Sequence, residues 1–196
     1  MNKEFNTSTE TIKKAHEIAF NAMVVSRNDT NGLKDWVSEG LGSQELIYLD
    51  DELVIKAEGD IDCLQTVENY TLPLRVDLIA KTNSTNIRIY YNAGSLTFNW
   101  ECDLDSLIVH DIIFASEQYN DKGGRIPVDE FVDISWVIEK RYMEVYVNGE
   151  LRLKHDSYPY IGLLMIEPNR KIIAPVRIAA AWGSTVTVKS LKVTEL

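Results

Sequence analysis

The run Tyr142–Lys154, YMEVYVNGELRLK, constrains the fold more than any other part of this 196-residue chain. Tyr142–Val147 alternates apolar and polar positions and is followed by Asn148-Gly149 and a second run, Leu151–Lys154. Asn-Gly accepts the positive φ angles of a type I′ turn, whose twist matches that of two antiparallel strands. A hairpin is therefore expected, and a chain containing one such hairpin must cover its apolar face with further strands or helices.

The rest of the sequence supplies strands. Leu46–Leu49 and Leu53–Ala57 flank Asp50-Asp51-Glu52 as a second hairpin. Leu72–Lys81, Asn86–Tyr91 and Leu96–Leu104 are three successive period-two runs, separated by Asn83-Ser84-Thr85 and Asn92-Ala93-Gly94. A loop at Glu117–Gly124 precedes Phe131–Glu139, in which Ile134, Trp136 and Ile138 share one face. Val176–Trp182 and Thr185–Val193, joined at Gly183-Ser184, close the chain. Ten to twelve short strands with almost no helix predict an all-β jelly-roll sandwich of two antiparallel sheets. The exception is the start, where Thr7-Ser8-Thr9-Glu10 offers a capping box and Ile12, Ala15 and Ala19 share a face. Residues 1–16 are thus expected to be an N-terminal extension with a short helix on a single domain spanning 1–196.

Composition narrows the partners. Apolar residues make up 45 % and charged residues 26 %, as in a globular protein. The net charge of −10 argues against nucleic-acid binding and against a polybasic membrane anchor, both of which need clustered Lys and Arg. MNKEFNTSTETIKK lacks the apolar core of a secretory signal, so the chain as written reads as soluble and cytoplasmic, or extracellular if a leader was removed. Cys63 and Cys102 read as two buried free thiols rather than one bridge. His16, His110 and His155 have no ligand spacing, so no metal site is expected from them. Asp29-Thr30-Asn31-Gly32 and Asp50-Asp51-Glu52 offer oxygens that suit calcium, and both serve equally well as turns. Gly123-Gly124-Arg125 lacks the Lys-Ser/Thr of a phosphate loop.

The stretch Trp136–Glu150, WVIEKRYMEVYVNGE, and the closing Pro175–Val193, PVRIAAAWGSTVTVKSLKV, resemble the concanavalin A-like lectin/glucanase superfamily. Leu33–Gly40 and Asp50–Leu53 are similar to the opening of uncharacterised bacterial members. The resemblance implies a concanavalin A-like jelly roll and a carbohydrate theme, and it is specific for architecture rather than activity. Laminarinase- and lichenase-type glycosidases of that superfamily carry Glu-x-Asp-x-Glu on one strand. Here Glu101-Cys102-Asp103-Leu104-Asp105 takes that place. By resemblance Glu101 would be the nucleophile and Asp103 its helper, with Asp105 where an acid/base Glu is expected. The departure counts against catalysis. A retaining mechanism needs its carboxyl groups about 5–5.5 Å apart, whereas residues four apart on a strand are separated by about 13 Å. Asp at the last position shortens the reach by one methylene.

Three functions remain open from sequence. The leading one is a non-catalytic carbohydrate- or glycan-binding module using Arg88, Tyr90, Asn99, Glu101 and Asp103, with Tyr119 on the rim loop. These residues lie on the non-core phase of consecutive runs, and sugar sites combine planar polar groups with an aromatic. Arg75 and Asp77 join the same patch if their strand is adjacent. Cross-strand ion pairing, Arg88 with Glu101, is the plain structural alternative. The second function is a glycoside hydrolase with Glu101 and Asp103 catalytic. The third is a cytosolic protein-interaction or sensory module. Of Trp36, Trp100, Trp136 and Trp182, three share the core phase and are expected to be buried.

Overall fold

The computed structural model describes residues 15–18, 24–25, 36–39, 45–49, 52–58, 62–66, 68–92, 94–111, 118–119, 122–156 and 171–196. The N-terminal capping box, the proposed calcium turn at Asp29–Gly32 and Asp50-Asp51 lie outside them. The described strands are, in chain order, β1 (Ala15–Ile18), β2 (Val24–Val25), β3 (Trp36–Glu39), β4 (Glu45–Leu49), β5 (Glu52–Lys56) and β6 (Asp62–Thr66). Next come β7 (Tyr70–Thr71), β8 (Leu74–Thr82), β9 (Ile87–Tyr91), β10 (Gly94–Phe98), β11 (Leu107–Asp111) and β12 (Gln118–Tyr119). The last are β13 (Val132–Ile138), β14 (Tyr142–Val147), β15 (Glu150–Asp156), β16 (Ile173–Ala174), β17 (Val176–Ala180) and β18 (Thr185–Glu195). Ala15 and His16, assigned to the expected helical extension, lie in strand β1, which pairs with β18.

Two antiparallel sheets carry almost all of these strands. One runs β15-β14-β13-β8-β18-β5-β4-β2, with β1 also on β18; the other runs β12-β11-β10-β9-β17-β6-β3. They share one interior. Val76, Leu78, Ile134, Trp136, Val145 and Val188 enter it from the first sheet, and Ile87, Ile89, Leu96, Phe98 and Ile178 from the second. Each is fully buried. Strand β8 shows why the sequence folds this way: Leu74, Val76, Leu78 and Ala80 have no exposed surface, and the residues between them are exposed or half-buried.

The expected hairpin forms as β14–β15, with Val147 opposite Glu150 and positive φ at Asn148 and Gly149. The β4–β5 hairpin forms as well. Strand β18 breaks the period of two without breaking the sheet. Val186 and Val188 are buried, and so are Leu191 and Val193, three residues further on. The odd spacing is absorbed by a bulge: Val188 pairs with Ala80, Ser190 pairs with Ile79, and Lys189 is the extra residue. Without it a one-residue slip would turn Leu191 and Val193 to the outside.

Tyr91 ties the small β16–β7 pair to the sandwich. Its hydroxyl, in the core, lies 2.8 Å from the Tyr70 carbonyl oxygen and 3.1 Å from that of Ile172, and shares its proton between them. Burial pushes its pKa well above 10. Unfolded tyrosine releases its proton near pH 10 while the folded residue keeps it, so this contribution is present below about pH 10 and lost above. Tyr91→Phe is expected to cost about 1–2 kcal/mol at pH 7 in urea unfolding. The variant should also lose less stability than wild type between pH 9 and 11; an equal loss would show that Tyr91 does not titrate on unfolding.

Candidate functional site

Strands β9 and β10 depart from simple alternation because both of their faces are shielded. On the face away from the core, Thr97 and Ala179 have no exposed surface, Ser95 has 3 % and Arg88 has 6 %. The register assembles this face into two rows. Ser95, Tyr90, Arg177 and Gln65 lie opposite one another across β10, β9, β17 and β6; Thr97, Arg88, Ala179 and Cys63 form the next row. On the outer face of the seven-stranded sheet this second row is therefore covered, and it continues on β11 into fully buried Ile108.

Arg88 is its centre. Its Nε and Nη2 donate to Asn86 Oδ1 at 3.0 and 2.8 Å, and Nη2 also reaches the Glu101 carboxylate at 3.2 and 3.4 Å. Beside it, half-buried Tyr90 packs against the Arg177 guanidinium, 5.2 Å from the ring centroid. Arg177 also donates to the Asn92 carbonyl at 3.1 Å. Burial raises the Tyr90 pKa although Arg88 beside it works the other way, so the hydroxyl stays protonated at neutral pH. Thr97 Oγ1, directly across from Arg88, is buried and has no hydrogen-bond partner among the described residues.

The acidic row is not on a strand. Strand β10 ends at Phe98, and Asn99 takes a left-handed conformation, with φ 48°. The chain then turns, with Trp100 bridged to Asp103. This ends the alternation the hydrolase geometry relies on, so Glu101 and Asp103 do not project from a common strand. Asn99 is buried at 2 % exposure and spends its amide internally. Its Nδ2 donates to Ile126 O at 3.1 Å and Ser84 O at 3.3 Å, and its Oδ1 accepts from Ile126 N at 2.9 Å. Asp103 is exposed and turns its carboxylate into its own loop, accepting from Asp105 N at 3.1 Å and from the Ser106 hydroxyl at 2.6 Å. The Ser106 hydrogen bond is the main reason its pKa falls below the usual value. Asp105 pairs with Arg125 on the surface.

Other expectations divide. Arg88 and Glu101 meet, as the ion-pair alternative has it, and Tyr90 lies beside Arg88. Arg75 and Asp77 do not join them: β8 belongs to the other sheet, where the two form an ion pair with each other and both bond Ser135. Tyr119 lies in strand β12 rather than in a loop, in register with core residue Leu107. Trp136 is buried, but Trp182 is 56 % exposed at a positive-φ turn and Trp100 is half-buried. Neither cysteine is in a disulfide; Cys63 is half-buried and Cys102 exposed, so neither is the buried thiol expected. Among the described residues no three of His, Cys, Asp and Glu group as a metal site. Sequence reasoning passed over Thr97 and Arg177. Arg177 had a signal, being the one charged residue in the apolar run Val176–Trp182.

The β-agarase B of Zobellia galactanivorans superposes with a TM-score of 0.64 over 93 % of each chain, at 13 % identity. A non-specific endo-β-1,3(4)-glucanase of family GH16 gives 0.60 over 94 % of this chain and 92 % of the other, at 12 % identity. The carbohydrate-binding module CBM66 of Bacillus subtilis gives 0.55 over 81 % and 94 %, at 9 % identity. The fold is the concanavalin A-like jelly roll. No family model and no curated protein matches the sequence.

Two changes test the turn that carries Glu101. A Cβ on Gly124 would lie 2.0 Å from the Ser106 carbonyl oxygen. Gly124→Ala should therefore cost about 2–4 kcal/mol, read as a lower melting temperature. Because the folded Asp103 carboxyl is the stronger acid, its contribution is present above about pH 4 and lost as pH falls through its folded value. Asp103→Asn should melt below wild type at pH 7, with the gap narrowing towards pH 3; a gap that does not change with pH would sink this assignment.

Proposed function

We propose that the protein binds a glycan on the outer face of its seven-stranded sheet, around half-buried Tyr90 and exposed Glu101, without cleaving it. The carrying observation is half-buried Tyr90 on that face, with Arg177 against its ring and Arg88 beside it holding the exposed Glu101. Sugars present a C–H face and a rim of hydroxyls. A half-buried aromatic flanked by fixed hydrogen-bonding groups suits both. Concanavalin A-like relatives in fold include both glycoside hydrolases and carbohydrate-binding modules, which supports a glycan ligand and leaves the choice to the site.

Two features favour binding over hydrolysis. The Glu101 carboxylate is engaged by Arg88, and the Asp103 carboxylate is engaged within its own turn. A carboxyl pair facing each other across one scissile bond, which hydrolysis needs, is not formed by these two.

The test is a calorimetric titration of neutral and acidic oligosaccharides against wild type and Tyr90→Ala, with reducing-end release assayed on wild type and Glu101→Gln. Binding without release, weakened about tenfold or more in Tyr90→Ala, is the expected result. Release by wild type that Glu101→Gln abolishes would make the protein a hydrolase. Absence of binding by every glycan would overturn the reading and leave a protein-interaction module.

A further inference from the structure

We infer that Trp182, on the rim of the sandwich, is the platform of a second carbohydrate site, which takes one neutral hexopyranose ring by its C–H face. This site goes beyond the reading of the Tyr90 face and does not rest on it.

Residue and backbone conflict at this position. Ala181–Ser184 is a tight turn, closed by Ser184 N donating to Ala181 O at 3.1 Å. Trp182 and Gly183, its two central residues, have φ of 54° and 76°. Both values belong to a type I′ turn, where Asn-Gly is the favoured pair and a bulky first residue is strained. The ring gains no burial in return: Trp182 is 56 % exposed. Among the described residues no cation stacks on it and no acceptor meets its indole N–H. A side chain that strains its turn and packs against little is accounted for by what it presents to solvent.

The ring is also held in place. Ser184, 1 % exposed, donates its hydroxyl to Ala181 O at 2.7 Å and accepts from Ala181 N at 3.1 Å. The turn carries the chain from β17 in one sheet to β18 in the other, and residues 83–86, which cross between β8 and β9, lie against it. Asn83 N donates to Thr185 O at 3.0 Å, and Asn86 Nδ2 donates to Ala181 O at 3.4 Å. A platform fixed in this way loses little freedom on binding.

The neighbouring loop supplies polar groups. Asn83 Oδ1 accepts from Thr185 N at 2.8 Å and from the Ser84 hydroxyl at 3.1 Å. The exposed Asn83 Nδ2 is left without an acceptor among the described residues. An open indole ring beside a fixed amide donor suits a sugar, which stacks through its C–H face and offers hydroxyls at its edge. Stacking of this kind needs an accessible ring rather than a cavity. Exposed Gly183, Asn83 and Ser84 add no large apolar side chain to the ring, which fits a sugar better than an apolar protein surface. Glu58 is exposed and follows Ala57, whose N–H bonds Ser184 O, so a neutral sugar is favoured over an anionic one.

The experiment titrates neutral β-glucan and galactan hexasaccharides, with oligogalacturonates for comparison, into nitrogen-15-labelled protein, with calorimetry in parallel. Trp182→Phe assigns the Trp182 indole N–H resonance by its loss, and the Gly183 backbone N–H reports the site in every variant. A neutral oligosaccharide is expected to shift both resonances saturably. Trp182→Asn should weaken binding at Gly183 about tenfold or more. The same variant should melt at a higher temperature than wild type, because asparagine suits the turn. Asn83→Asp keeps the acceptor for Thr185 N but loses the amide donor, and should weaken binding about three- to tenfold. Binding seen by calorimetry without a shift at Trp182 would overturn the inference and leave the Tyr90 face standing. Undiminished binding in Trp182→Asn would overturn the platform role. A lower melting temperature in that variant would show that the turn favours tryptophan, and the inference would fall with its strain. Tighter binding of oligogalacturonates would overturn the neutral assignment. A sedimentation coefficient that drops in Trp182→Asn would make the ring a contact between copies of this chain instead, and silence towards every sugar would overturn the site outright.

Discussion

A guanidinium that is nine-tenths buried keeps its charge and so must have acceptors brought to it, and the outer face of the seven-stranded sheet is organised by that demand. Asn86, two residues before Arg88, supplies one acceptor at short range. The second comes from across the sheet but not from β10 itself: the hydroxyl of Thr97, the residue opposite Arg88, could accept but does not bond it. The chain instead ends β10 at Phe98, turns at Asn99 with positive φ, and brings Glu101 back over Arg88. Asn99 makes the turn durable by bonding Ile126 through both ends of its amide, and Gly124 lets that loop approach Ser106 more closely than any side chain would allow. Charge burial, turn and loop are one arrangement.

The fold was legible in the sequence because its signals are local. Asn148-Gly149 demands a turn whatever surrounds it, and the apolar phase of Phe131–Glu139 points Ile134, Trp136 and Ile138 inwards. The bulge at Lys189 shows the limit. Val186, Val188, Leu191 and Val193 violate a strict period of two, and only the pairing with β8 shows that the sheet absorbs the extra residue. Which strands share a sheet was not legible either. Leu72–Lys81 and Asn86–Tyr91 are consecutive, yet the chain crosses from one sheet to the other between them, which parts Arg75 and Asp77 from Arg88 and Tyr90.

The candidate site was legible in its members more than in its geometry. Arg88 and Tyr90 follow from the non-core phase of β9. Asn99, Glu101 and Asp103 were placed by extending the same alternation past its end. Nothing in SLTFNWECDLD marks Asn99 as the breaking point, because asparagine in the left-handed region is a choice made by the partners it finds, here Ile126 and Ser84. Trp182 fails for a related reason: the residues before it alternate as a strand, but it falls in the positive-φ turn that ends the run, where its ring is exposed.

A net charge of −10 and a buried guanidinium coexist in one protein because distance and dielectric separate them. Surface carboxylates act through water and salt, and at physiological ionic strength their field falls off over about 8 Å. Asp105, paired with exposed Arg125, and Glu144, paired with Lys154, belong to that screened population. Arg88 does not. It lies among Thr97, Ala179 and Ser95, which have almost no contact with solvent, so a charge placed against it interacts through protein rather than water. An acidic surface and a buried cation are compatible because they act over different distances and through different media.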